Sequence, residues 1–169
     1  LSKSMPSLNV VMIEQGREIY KRKCPTIENR NTDCIRCKSC SIMNGFGGAG
    51  AFSDGKFNFT TSFGGWLGEY IPEAEVMRLF EYVDSINVSF GATTERFSTK
   101  SEEAVNIEKK ALQNDLHLLH AVVKHLGTEN NKRILTGMFD SLTKKVELVC
   151  NAPVESISAT GTGYSLTMS

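Results

Sequence analysis

Apolar positions in this chain form one short unbroken block, then a long stretch with no period, then alternating helix-like and strand-like patterns to the end. Residues 8–14, LNVVMIE, are apolar on both faces and stop at an acid, Glu14, followed by Gln15 and Gly16. Such two-sided apolarity predicts a buried parallel strand. Pro6 separates it from LSKS, which suits the last turn of a helix, so the expected opening is helix end, turn, parallel strand, acid. No period holds from 17 to 44, and the glycine-bearing segment after it is equally irregular.

Regular patterns then resume. FNFTT at 57–61 alternates aromatic and polar residues, as a short extended piece does. Residues 71–86 predict a helix, with Pro72 at its first position and Glu73 and Glu75 in its first turn. Val76, Leu79, Phe80 and Val83 would make its buried stripe, and Gly91 lies just past its end. Ser101 should cap a second helix that turns Ala104, Ile107, Ala111 and Leu112 inward. Residues 117–126 are a strand or a helix end, with strand the better fit, closed by Gly127. Thr128 should cap a third helix carrying Ile134, Leu135, Met138, Phe139 and Leu142, with Lys144 and Lys145 at its negative end. A strand at 146–150 and a hairpin of 153–159 with 164–168, turning at 161–163, complete the pattern. There is no internal repeat.

Composition narrows the class of protein. With 169 residues, 40% of them hydrophobic and 22% charged, the chain can bury a core and is not of disordered composition. Nineteen basic residues balance nineteen acidic ones, which gives no general field for nucleic acid. The balance is uneven locally: Arg17, Lys21, Arg22, Lys23, Arg30, Arg36 and Lys38 face only Glu18, Glu28 and Asp33. Such a run reads first as solvated surface and second as an anion contact. No apolar run approaches the ~18 residues of a membrane span. An odd cysteine count and the lack of a signal-peptide pattern point to a reducing cytoplasm. Leu1 in place of an initiator methionine reads as the continuation of something already under way.

Chemistry concentrates in residues 34–56, CIRCKSCSIMNGFGGAGAFSDGK. Cys34, Cys37 and Cys40 have the two-residue gaps of iron–sulfur ligation, and Cys24-Pro25 stands ten residues earlier. Four thiolates would also suit zinc, and free thiols or a redox pair are the alternatives. Gly45-Phe46-Gly47-Gly48-Ala49-Gly50 matches G-x-G-x-x-G by letter but not by context. The dinucleotide fingerprint needs a strand before it and a helix after it. Here CSIMN precedes and AFSDGK follows, so the segment is either a loop offering amides to a flat or anionic ligand or a tight structural loop. Glu14 sits where an acid ending the second strand of a doubly wound fold binds ribose hydroxyls. His117, His120 and His125 read as core or edge residues, with His125 able to face a ligand, and Cys150 as a small core residue.

At GGAGAFSDGK the chain resembles a group of bacterial FAD-dependent dehydrogenases of largely uncharacterised substrate, within the glutathione-reductase-like flavoprotein superfamily. LNVVMIEQG resembles the second Rossmann strand, with Glu14 as the ribose-binding acid and Gln15 beside it. The cysteine and glycine stretch resembles the group's cysteine-bearing loop and its GGAGxFSDGKL segment, with Phe57 for the usual leucine. His125-Leu126-Gly127-Thr128-Glu129 resembles an H-x-G-T-D motif, with Glu129 for the aspartate and Lys124 where arginine is frequent. VELVCNAPVESI resembles a strand pair in which Val154 meets adenine through its backbone.

The resemblance implies a partial Rossmann-like α/β FAD/NAD(P)-binding domain: residues 1–30 and 128–169 as the FAD-binding core, and 31–127 as an insertion of Cys-rich and Gly-rich loops and helices. It implies an internal fragment that lacks the true G-x-G-x-x-G and binds FAD weakly alone. The cofactor-binding residues it implies are Glu14, Gln15, Gly47, Gly48, Gly50, Ser53, Asp54, Gly55, Lys56 and Val154. Cys24, Cys34, Cys37 and Cys40 are the candidate metal ligands, for an iron–sulfur cluster or zinc. The implied activity is oxidation or reduction of a small molecule, with NAD(P) a candidate partner and no role for nucleic acid or membrane. No residue is marked as the catalytic acid or base. The rival class is a non-flavin electron-transfer or metal-binding module built on the cysteines.

Overall fold

A computed structural model describes residues 1, 4–29 and 33–169. Ser2 and Lys3, in the expected opening helix end, and Arg30, in the basic run, lie outside the described residues. The chain is mixed α/β and divides into two units, Leu1–Ser53 with Leu135–Ser169, and Asp54–Ile134. The division differs from the expected 31–127 insertion, because the cysteine and glycine loops up to Ser53 belong to the first unit. Within the first unit the Arg22 guanidinium donates to the carbonyls of Ser41, Ile42, Phe46 and Gly48.

In the first unit, β1 (Val11–Glu14) runs parallel to the strand Glu147–Cys150, in the register Val11 to Glu147 through Glu14 to Cys150. The expected parallel strand is therefore present, but its start is not buried: Val11 and Met12 are exposed, since only one strand flanks β1. A 3-10 turn at Ile19–Lys21 and the short helix α1 (Pro25–Glu28) follow. The glycine segment carries another 3-10 turn, Ala49–Phe52. Ile19, Ala51 and Phe139 form the core of this unit, with Phe46, Leu135 and Leu148 packed on it. Phe139 meets Tyr20 and Phe46 edge-on, with ring centroids 5.7 and 5.1 Å away. Burying one such aromatic contributes about 1.5–3 kcal/mol.

The second unit holds a three-stranded antiparallel sheet. Its members are β2 (Lys56–Phe59), β3 (Phe97–Ser98) and β4 (Val122–His125), with β4 central. Helix α2 covers Glu73–Ser89 and α3 covers Glu102–Leu112. Ser101 caps α3 as expected, its hydroxyl accepting from the amide of Ala104 at 3.2 Å. The inward faces follow the apolar pattern only in part: Val76 is buried on α2 as expected. Val83 is 50% exposed while Asp84 and Asn87 are buried, and Ile107 and Leu112 are exposed while Glu108 is half-buried and bonded to His120 at 2.9 Å.

The buried acid on α2 is explained by its partners. Lys124, only 1% exposed on β4, donates to both oxygens of Asp84 at 2.6 and 2.7 Å. Arg96 bridges Asp84 and Glu81 and lies 3.9 Å from the Phe59 ring centroid. A charge this deep is held only when it is paired and hydrogen-bonded.

Helix α4 (Thr128–Leu142) carries the expected stripe, with Ile134 and Phe139 buried, and the boundary between the units falls within it. After it come β5 (Glu147–Cys150) and the hairpin of β6 (Val154–Thr160) with β7 (Gly163–Met168), which turns at Gly161 and Thr162 as expected. No helix among the described residues is long and apolar enough to cross a membrane.

Candidate functional site

Glu14 ends β1 and its Oε1 accepts from two backbone amides, Gly16 at 2.7 Å and Gly45 at 2.9 Å. One acid thus joins the end of the strand to the first glycine of the loop. Asn151 and Ala152 donate back to the carbonyls of Gly16 and Glu14, and Phe46 donates to the carbonyl of Arg17. The chain approaches itself so closely that a Cβ at Gly16 would collide with the backbone of Asn44 and Gly45. Gly45 has φ +115°, and a Cβ there would lie 2.6 Å from the Arg17 carbonyl. Only glycine fits either position.

This junction floors a cleft of about 310 Å3 at the carboxyl end of β1, lined by Ile13, Glu14, Gln15, Met43, Asn44, Gly45, Gly48, Ala152 and Val154. Four of the sequence-implied cofactor residues, Glu14, Gln15, Gly48 and Val154, therefore meet in one place from three distant stretches. The others do not. Gly47 lies behind the rim, with a Cβ at that position 3.1 Å from Leu135, and Gly50 has open space around it. Ser53 ends the first segment of this unit, while Asp54, Gly55 and Lys56 belong to the other unit.

In that other unit Asp54, Gly55 and Lys56 have their own work. Leu126 and Gly127 donate to the carbonyls of Gly55 and Asp54. Gly55, at φ +67°, lets the chain pass Leu126, whose Cβ would stand 2.9 Å from an added methyl. The Lys56 ammonium, 3.1 Å away, holds the Asp54 carboxyl below the usual range, and His125 lies 3.6 Å from the same oxygen.

Arg22 was missed in the sequence, where it stood within a run read first as solvated surface. It is 6% exposed, four of its five N–H groups are spent on loop carbonyls, and it stacks 5.0 Å from the centroid of Phe52. Burial lowers its pKa, partly offset by Glu14 and Cys40. The signal that could have found it is chemical. A glycine loop leaves carbonyls unpaired, and arginine is the side chain with enough donors to gather several.

Cys24, Cys34, Cys37 and Cys40 all line a second cavity of the same unit, of about 240 Å3. Cys34 and Cys37 are exposed, and Cys24 and Cys40 are half-buried. Amides of Met43 and Ile42 bond to Cys40 and lower its thiol pKa, with Arg22 adding to the effect. Among the described residues no three His, Cys, Asp or Glu side chains converge on one metal ion. Cys150, half-buried on β5, is a thiol whose pKa burial and then Glu14 and Glu18 push up. No family model, curated protein or solved structure matches the chain.

Proposed function

We propose that the protein is an FAD-dependent oxidoreductase acting on a small molecule, and that the cleft at the end of β1 takes the adenosine portion of the cofactor. The observation that carries this reading is the meeting of Glu14, Gln15, Gly48 and Val154 around one cleft beside a parallel strand pair. The donor set suits the group. Glu14 uses Oε1 on the loop amides, and its Oε2 has no hydrogen-bond partner among the described residues, so it can accept from ribose hydroxyls. The Val154 backbone, where β6 begins, can meet an adenine edge. At about 310 Å3 the cleft has the size for a nucleoside portion and not for a whole dinucleotide. The flavin, when bound, supplies the hydride or electron transfer, and the protein binds and orients it.

Flavin content and FAD affinity of the full-length protein test the reading. Glu14→Gln keeps an oxygen for the Gly16 and Gly45 amides but removes the charge that ribose hydroxyls would meet. It should weaken FAD by ~1–3 kcal/mol with the fold intact. Glu14→Ala should lose loop stability as well. Full-length protein that neither retains flavin nor quenches FAD fluorescence on titration overturns the proposal, as does a Glu14→Gln variant of unchanged affinity.

A further inference from the structure

The cysteine cavity is separate from the nucleotide cleft and takes no part in the function proposed above. Apart from the four cysteines its walls are chiefly Pro25, Ile27, Ile35 and Ile42, with Arg36. We propose that Cys24, Cys34, Cys37 and Cys40 are the four ligands of a four-iron, four-sulfide cluster seated in this cavity.

Three observations favour a cluster over a single ion. Four thiols from two separate stretches line one cavity of about 240 Å3. Zinc draws all its sulfurs to about 2.3 Å from one centre, whereas a cluster puts its own iron and sulfide atoms between the cysteines and so needs them spread around a void. The apolar lining is the second observation, because the hydrophobic shell around such a site sets its dielectric and its potential. The third is the anchoring of the loop. Arg22 pins the Ser41 and Ile42 carbonyls directly after Cys40 and so fixes the loop that carries it.

The sequence spacing agrees, with two-residue gaps among Cys34, Cys37 and Cys40 and a proline directly after Cys24. Each thiol loses its proton to solvent on ligation, and the cluster's negative charge is met by Arg36 in the cavity wall.

The test is iron, acid-labile sulfide and zinc analysis of full-length protein purified without oxygen, and of the apo-protein reconstituted with ferrous iron and sulfide. The expected result is about four iron and four sulfide per chain, with broad brown absorbance that dithionite bleaches and a paramagnetic signal in the reduced form. Cys24→Ser, Cys34→Ser, Cys37→Ser and Cys40→Ser should each lower the iron content, and Cys150→Ser should not. Stoichiometric zinc without iron, a two-iron product, or folded apo-protein that takes up no iron overturns the assignment. Iron content unchanged in the Cys24→Ser variant does the same. Should the serine variants fail to fold, reconstitution of the unsubstituted apo-protein, followed by circular dichroism, still decides it. Flavin is measured separately after heat release, so its absence would defeat the function proposed above and leave the cluster untouched.

Discussion

Replacing Arg22 by lysine keeps the charge and removes the fork, which makes it the sharpest probe of how the glycine loop is held. The guanidinium donates to four carbonyls at 2.6–2.9 Å, from Nε, Nη1 and Nη2. Hydrogen bonds to a charged group are worth ~1.5–3 kcal/mol each, but they do not add, and the freed carbonyls near the surface regain water. Lysine has one nitrogen and can reach one or two of the four, and it loses the planar contact with Phe52, worth ~0.5–1 kcal/mol. The expected cost of Arg22→Lys is therefore ~2–4 kcal/mol in urea denaturation. The loss should be local in hydrogen exchange. The amides of Gly45 and Phe46, bonded to Glu14 and Arg17, should exchange about tenfold faster for each ~1.4 kcal/mol lost. Arg17→Lys, at an exposed position in the same basic run, should stay within ~0.5 kcal/mol. Equal behaviour of the two variants would refute the view of Arg22 as the hub of the loop.

Three further outcomes follow from the packing. Lys124→Met should destabilise by ~3–5 kcal/mol by leaving the Asp84 carboxylate short of a partner, and Asp84→Leu with Lys124→Met should recover much of that in the same denaturation assay. Burial pushes the Asp84 carboxyl up, but Lys124 and Arg96 outweigh it and leave the pKa below the ordinary 3.8. A depressed folded pKa contributes stability above the ordinary value, so that part should drain away as pH falls below 3.8, and the double variant should show a shallower acid loss by circular dichroism. Gly45→Ala should cost ~2–3 kcal/mol through strain and the Arg17 carbonyl, whereas Gly50→Ala, with open space around it, should stay within ~0.5 kcal/mol by thermal unfolding.

Much of the fold was legible because local rules and burial agreed. Helix α4 kept its apolar stripe, Ser101 capped α3, and the glycines at 161 and 163 marked the hairpin turn. The parallel pairing of β1 followed from two-sided apolarity, although its exposed start did not. The pattern held at Val76 on α2 but failed where apolar spacing put Val83 and Ile107 inside. There Asp84 is buried and Glu108 half-buried, and their partners, Lys124 and His120, lie 40 and 12 residues away. Hydrophobic periodicity assigns no buried place to a charge, since it cannot see that partner.

The candidate site divides in the same way. By itself the sequence placed an acid at the end of a parallel strand, grouped the cysteines by spacing and marked the glycines as backbone under pressure. Only the tertiary structure decided what each glycine is for: Gly16 and Gly45 pass each other, Gly48 rims a cleft, and Gly55 serves the other unit. It also turned Arg22 from one charge in a basic run into the donor that holds the loop. The physical reason is common to both. Spacing along a chain encodes local geometry, but a carbonyl's need for a donor and a backbone's need for room are met by residues that only folding brings within reach.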